Sequence, residues 1–131
     1  MIVGTGVDIV EIDRFSRAVG KWGLGFLGKI FTENEIAYSE KKRFAHQHFA
    51  ARFAAKESVF KAFGGDRGSI RKWTDIEIMN DSNGKPEVIL HASAMDLCRA
   101  RGVGKVVVSM AHSKYYAVAN AILISENERK K

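Results

Sequence analysis

The stretch Phe44–Phe63, FAHQHFAARFAAKESVFKAF, decides the fold. It holds no glycine or proline and is the longest helical pattern in the chain. At roughly 100° per residue, Phe49, Phe53, Phe60 and Phe63 fall within one arc of about 80°, a core-facing stripe. Gly64-Gly65 ends the helix, and a polar loop follows through Gly68. Four charges accompany the stripe: Arg52, Lys56, Glu57 and Lys61. Lys56 falls inside the apolar arc, where an ammonium is costly unless it is paired or snorkels. Glu57 lies just past the edge of the arc and Lys61 one step further round. That pair reads either as an i,i+4 surface ion pair or as the lip of a polar cleft.

Toward the N-terminus, Thr32-Glu33-Asn34-Glu35 is a capping box and starts a shorter helix. The basic run Lys41-Lys42-Arg43 lies near its end. Before it, an amphipathic helix begins near Asp13 and runs toward Gly20. Arg14, Arg17 and Lys21 share one face, and Phe15, Val19 and Trp22 share another. Gly23–Ile30 is apolar and glycine-rich and reads as short helical turns or loop. Met1–Asp8 reads as a strand broken by Gly4 and Gly6. Toward the C-terminus, Asp75–Asn80 and Pro86–Leu90 flank the turn signal Asp81-Ser82-Asn83-Gly84. Ser93 and Asp96 are candidate caps of a helix ending at Gly102. Lys105–Ala111 and Tyr115–Ile124 form a second hairpin around His112-Ser113-Lys114. In the last strand Ala117, Ala119 and Ala121 alternate on one face, leaving room for a helix or another chain. This order predicts an α+β fold, a mostly antiparallel sheet with a long central helix. One domain is expected over residues 1–125, with a charged tail at 126–131.

The 131 residues and single cysteine, Cys98, bound the class: one domain, with no disulfide framework. Apolar residues at 46% and charged residues at 27% exclude a disordered chain. No apolar run reaches the ~18–20 residues that span a bilayer. Met1-Ile2-Val3-Gly4 lacks the basic segment of a signal peptide, so a cytoplasmic protein without membrane partners is expected. Lys and Arg number 21 against 15 acids, a net +6, which favours an anionic partner. Nucleic acid, a phosphorylated small molecule and an acidic protein all qualify. A basic nucleic-acid-binding module is the competing reading. Against it, the aromatics fall at helical core spacing and do not alternate with Lys and Arg on one sheet face.

Two more constellations carry possible chemistry. Gly4-Thr5-Gly6-Val7-Asp8 puts glycines before an acid at a strand end, where another backbone or a phosphate can come close. Asp8 could ligate a hard cation, or the segment could be a glycine kink with a capping acid. Ser109-Met110-Ala111-His112-Ser113 sets a histidine among hydroxyls at the mouth of the last hairpin. Such a group can hold a phosphate or move a proton, or simply be solvated. His46 and His48 lie about 200° apart on a helix, the wrong spacing for a shared metal.

Together these segments resemble the short 4′-phosphopantetheinyl transferases, the holo-acyl-carrier-protein synthase family. The matching stretches are Ile2–Phe15, Phe31–Glu35, Arg52–Gly64, Asn83–Pro86 and Ser109–Ser113, in the family's order and spacing, reaching to about Ser125. The resemblance implies a homotrimer with active sites in clefts between protomers. It implies Mg²⁺ or Mn²⁺, coenzyme A as donor, apo acyl carrier protein as acceptor, and a role in fatty acid biosynthesis. A carrier serine would attack the β-phosphorus of coenzyme A, leaving adenosine 3′,5′-bisphosphate. Asp8 and Glu57 match the metal ligands, and Lys61 would hold the diphosphate and stabilise the leaving oxygen. His112 matches a residue of the coenzyme site, with Ser113, Arg52 and Gly64 as neighbours. Lys42, Arg43 and Arg52 are candidates for the 3′-phosphate, and Pro86 is placed against the adenine. Arg14, Arg17 and Lys21 would dock an acidic carrier by charge complementarity. Val10 stands where larger, pseudo-dimeric relatives carry an acid. It cannot ligate, which points to the short trimeric class with water in that position. The serine proton would go to Glu57 or to a water on the metal.

Overall fold

The computed structural model describes residues 1–66 and 69–126, Leu24 by its backbone alone. The order is β1 (Ile2–Glu11), α1 (Ile12–Ile30), α2 (Glu33–Glu40), α3 (Ala45–Ala62), β2 (Ile76–Asn80), β3 (Pro86–Leu90), α4 (Ala92–Ala100), β4 (Val103–His112) and β5 (Tyr116–Ser125). The α+β class and antiparallel pairing follow the expectation. The strands, however, divide between a three-stranded sheet, β1-β5-β4, and a separate hairpin, β2-β3. The tail beyond position 126 and, in the loop after Gly65, residues 67 and 68 lie outside the described residues.

α3 is central because it is buried on two opposite faces. Its phenylalanine side meets α1 and the α1–α2 junction: Phe53 packs on Phe15 at 5.7 Å between ring centroids, and Phe49 on Phe31 at 5.1 Å. About 180° round the helix, Ala51, Ala54, Ser58 and Ala62 form a buried small-residue face. That face lies on β1 and β5. Close contact requires the glycines of β1. A Cβ at Gly4 would sit 2.3 Å from the carbonyl oxygen of Ala62, and one at Gly6 would sit 2.0 Å from that of Ser58. Of the two guests the sequence allowed near these glycines, the structure admits a helix backbone. Ala117, Ala119 and Ala121 pack beneath the same sheet and are buried, so the alanine stripe of β5 serves α3 within the chain. The glycines do not break β1, which runs through both with an irregularity of register between Ile2 and Gly4.

Four local expectations are revised. Gly23–Ile30 is helical, and Gly23 (φ 74°, ψ −160°) only bends α1. That bend leaves Trp22 outside, 61% exposed, away from its supposed partners Phe15 and Val19. Asp75 belongs to a 3₁₀ turn before β2, and α4 begins after His91 without a side-chain cap. No helix among the described residues is long and apolar enough to cross a membrane.

The capping box does more than start α2. Thr32 accepts from the Glu35 backbone N–H, and Glu35 accepts from that of Thr32. Glu35 is fully buried and meets Lys56, also fully buried, at 2.8 Å. Lys56 Nζ further donates to the Trp73 carbonyl at 3.0 Å and to that of Ile76. This is the pairing that an ammonium inside an apolar arc requires. Burial pushes Glu35 up and Lys56 down, opposed in each case by the partner's charge. Glu77 joins from β2: Thr32 Oγ1 donates to it at 2.6 Å, and His91 Nε2 lies 3.1 Å away. Burial alone would raise Glu77, but hydrogen bonds from Thr32, His91 and Asn34 outweigh it and hold the carboxyl low.

Thr32→Val is therefore expected to cost about 2 kcal/mol, roughly 6–10 °C in Tm, through a lost cap and a lost bond to a buried carboxylate. Glu77's stabilisation is present above its ordinary value of 4.5 and disappears as pH falls through the lowered folded value. The gap between variant and parent should narrow in acid. Thermal melts from pH 3 to 7 check this, and a pH-independent gap would remove Glu77 from the account.

Candidate active site

β1 delivers Asp8 to the sheet face that carries α3, two residues beyond the Gly6 contact. α3 delivers Glu57 and Lys61, one helical turn apart, beside it. Lys61 Nζ lies 2.7 Å from Asp8 Oδ1, and Glu57 is within hydrogen-bonding reach of the Asp8 carboxyl. The i,i+4 neighbours thus converge on a distant strand. Burial, then the Asp8 charge, pushes the Glu57 carboxyl up, against the pull of Lys61. The hydrogen bond to Asp8 raises Lys61. The Asp8 side chain is 11% exposed and that of Lys61 49%, so the carboxylate is largely enclosed while the lysine reaches solvent. Val10 points the same way as Asp8 but packs against the core and offers no ligand.

Two nearby carboxylates repel, and hard oxygen donors suit a hard divalent cation. No group of three or more His, Cys, Asp or Glu that could hold a metal occurs among the described residues. Two carboxylates fit an ion of the magnesium type, which completes its octahedron with water and substrate oxygens.

The acid pair opens on a cavity of about 430 Å³ that Arg14 also lines. Arg14, Arg17 and Lys21 are all exposed on α1, and of the three Arg14 lines this cavity. A second group gathers at the other end of α3. His112 ends β4 and faces the His48 ring at 5.2 Å, while Lys42 and Arg52 lie over the Tyr38 ring at 4.5 and 4.1 Å. Burial, then the charges of His112, Arg52 and Lys42, lower His48. Nothing in the spacing of His46 and His48 signalled this partner, which is contributed by β4.

Arg52 is 1% exposed and donates to the Asn80 side chain, so its guanidinium is enclosed, whereas Lys42 and Arg43 are exposed. Ser113 closes the β4–β5 turn by donating its backbone N–H to Tyr116 at 2.9 Å. Gly64 (φ 106°) caps the end of α3 next to Lys61. Pro86 starts β3 and lines a larger cavity, about 540 Å³, that shares no residue with the acid pair. The phenylalanines around α3 pack on one another inside, whereas Trp22, Phe44, Tyr115 and Tyr116 are exposed, and the outer sheet face presents Val3, Val7, Ile9 and Val118 without alternating cations.

Residues 4–119 match the model of the 4′-phosphopantetheinyl transferase superfamily. The chain belongs to that superfamily. The holo-[acyl-carrier-protein] synthase of Koribacter versatilis is 42% identical over 124 residues, 94% of this chain and 98% of that protein. Among solved structures of this superfamily, the holo-[acyl-carrier-protein] synthase of Neisseria meningitidis superposes with a TM-score of 0.87 at 32% identity, covering 95% of this chain and all of the other. The Bacillus anthracis holo-(acyl-carrier-protein) synthase, solved with CoA (3′,5′-ADP), gives 0.78 at 35% identity over 97% of this chain and 99% of its own.

Proposed function

We propose that this 4′-phosphopantetheinyl transferase moves 4′-phosphopantetheine from coenzyme A to a serine of apo acyl carrier protein, a reaction that would yield the holo-acyl-carrier-protein its relatives are named for. The observation that carries this reading is the convergence of Asp8, Glu57 and Lys61 beside an arginine-bearing helix. The serine oxygen forms a bond to the β-phosphorus, and the bond from that phosphorus to the bridging oxygen breaks. The bridging oxygen keeps the electron pair and departs on adenosine 3′,5′-bisphosphate. Asp8 and Glu57 would hold Mg²⁺, whose charge would offset that of the phosphate oxygens. The serine proton goes to Glu57 or to a water beside it. Lys61 sits on a half-exposed stem and can leave Asp8 for the diphosphate, where it stabilises the leaving oxygen.

His112, Ser113, Lys42 and Arg43 form the coenzyme's second set of contacts, with Pro86 at the adenine. Arg52 acts from inside, by holding Tyr38 and Asn80. The acid group and the His112 group lie at opposite ends of α3, which favours a site completed by a neighbouring protomer. Val7 and Ile9, 62% and 63% exposed, belong to an apolar sheet face suited to a second copy of this chain. We take the assembly to be a trimer, the setting cytoplasmic and the pathway fatty acid biosynthesis.

Mass spectrometry of apo carrier protein incubated with this protein, coenzyme A and Mg²⁺ tests the reading. One phosphopantetheine added to serine is expected, and no mass gain refutes it. Arg14→Glu should raise KM for the carrier about tenfold or more and leave KM for coenzyme A within about twofold. Equal changes in both would remove the docking role.

A further inference from the structure

Glu57 borders two cavities. One, toward the N-terminal side of α3, holds Arg14. The other, about 450 Å³, lies toward the C-terminal side and is bounded by Glu57, Phe60, Lys61, Arg71, Lys72 and Trp73. Its wall is fixed. The Arg71 backbone N–H donates to Ser93 Oγ at 2.9 Å, and the Lys72 carbonyl accepts from Asp75 at 3.0 Å. The Trp73 ring is held between Phe53 and Phe60, each 5.5 Å away. Arg71 and Lys72 are exposed, and neither has a carboxylate partner among the described residues. Three cations therefore rim an aromatic-walled cavity that opens beside the acid pair.

We infer that Arg71 and Lys72 bind the diphosphate of the coenzyme A donor, on the side from which the bisphosphate leaves. This rests on the transfer reading above. Displacement at phosphorus places attacking and leaving oxygens roughly in line. A carrier docked on Arg14 enters from one side of Glu57, so the leaving half belongs on the other. Charge counting agrees. Asp8, Glu57 and Lys61 sum to −1, and a bound divalent ion brings this to +1. A diphosphate carries about two negative charges and gains more on its leaving oxygen as the bond breaks. Two further cations offset that excess. Their cavity also presents the Trp73 ring, so binding there should be visible in its fluorescence.

The test uses the full-length protein without divalent ion. Calorimetry reads the affinity for coenzyme A and for dephospho-coenzyme A, which keeps the diphosphate and lacks the 3′-phosphate. Trp22→Phe leaves Trp73 as the sole indole, and its emission should change on titration with either ligand. Arg71→Ala/Lys72→Ala is expected to weaken both ligands about tenfold or more, and Arg71→Lys/Lys72→Arg to restore affinity within about threefold. In turnover, KM for coenzyme A should rise while KM for the carrier stays within about twofold. Unchanged affinity for both ligands overturns the inference, as does a loss confined to coenzyme A, which would mean contact with the 3′-phosphate. Absence of transfer by the unsubstituted protein would instead refute the transfer reading, while the two affinities still report on Arg71 and Lys72.

Discussion

Gly6→Ala is expected to destabilise the protein on the order of 4 kcal/mol and to abolish activity in whatever folds. The added methyl would lie 2.0 Å from the Ser58 carbonyl oxygen and 2.7 Å from the Ala62 backbone N. Both are backbone atoms of α3, so no rotamer change relieves the overlap. The helix must lift from β1, carrying with it Glu57, the residue before Ser58. The cost is a large part of the 5–15 kcal/mol typical of small domains. Gly4→Ala should behave similarly, meeting Ala62 O at 2.3 Å. Gly20→Ala is the control: it lies within α1 with nothing within 4 Å of the new methyl, and should gain about 0.5–1 kcal/mol. Urea melts of the three variants check the order. A Gly6→Ala protein as stable as its parent would mean that α3 is not seated on β1 as described.

Asp8→Ala and Glu57→Ala should each lower kcat/KM at least about 1,000-fold while the protein stays folded. Lys61 is half exposed, so loss of Asp8 leaves no buried orphan charge. Glu57→Gln separates chemistry from stability. Burial and Asp8 raise the Glu57 pKa, so its ionisation weakens the fold as pH rises through that value. Without divalent ion the Gln variant should melt higher than the parent at pH 8. That difference should fade toward the ordinary value of 4.5, below which the carboxyl is protonated in both states. Added Mg²⁺ should raise the parent's Tm and leave that of the Gln variant unmoved. Near-full turnover by either alanine variant in Mg²⁺ would remove the metal assignment.

Much of the fold was legible because its signals are local. The capping box at Thr32, the turn at Asn83-Gly84 and the helical spacing from Phe49 to Phe63 each act within a few residues, and each appears as read. The phenylalanine stripe, however, was only half of the burial of α3. Small residues give a weak periodic signal, so the Ala51–Ser58–Ala62 face was not read as core. Within the candidate site, Asp8, Glu57 and Lys61 were singled out by residue type and family pattern. Arg71 and Lys72 were passed over, since two cations in a loop look like ordinary solvated charge until a cavity is seen between them and Lys61.

Residue order alone settled the main helices and hairpins, the absence of a disulfide framework and the glycines that some close neighbour would need. Only the folded chain decided who that neighbour is, that Lys56 pairs with the acid of a capping box, and that His48 meets His112. The reason is one of range. Dihedral preferences and side-chain spacing are set by covalently near atoms, whereas the meeting of Asp8 with Glu57 depends on how closely a helix can approach a strand fixed far from it along the chain.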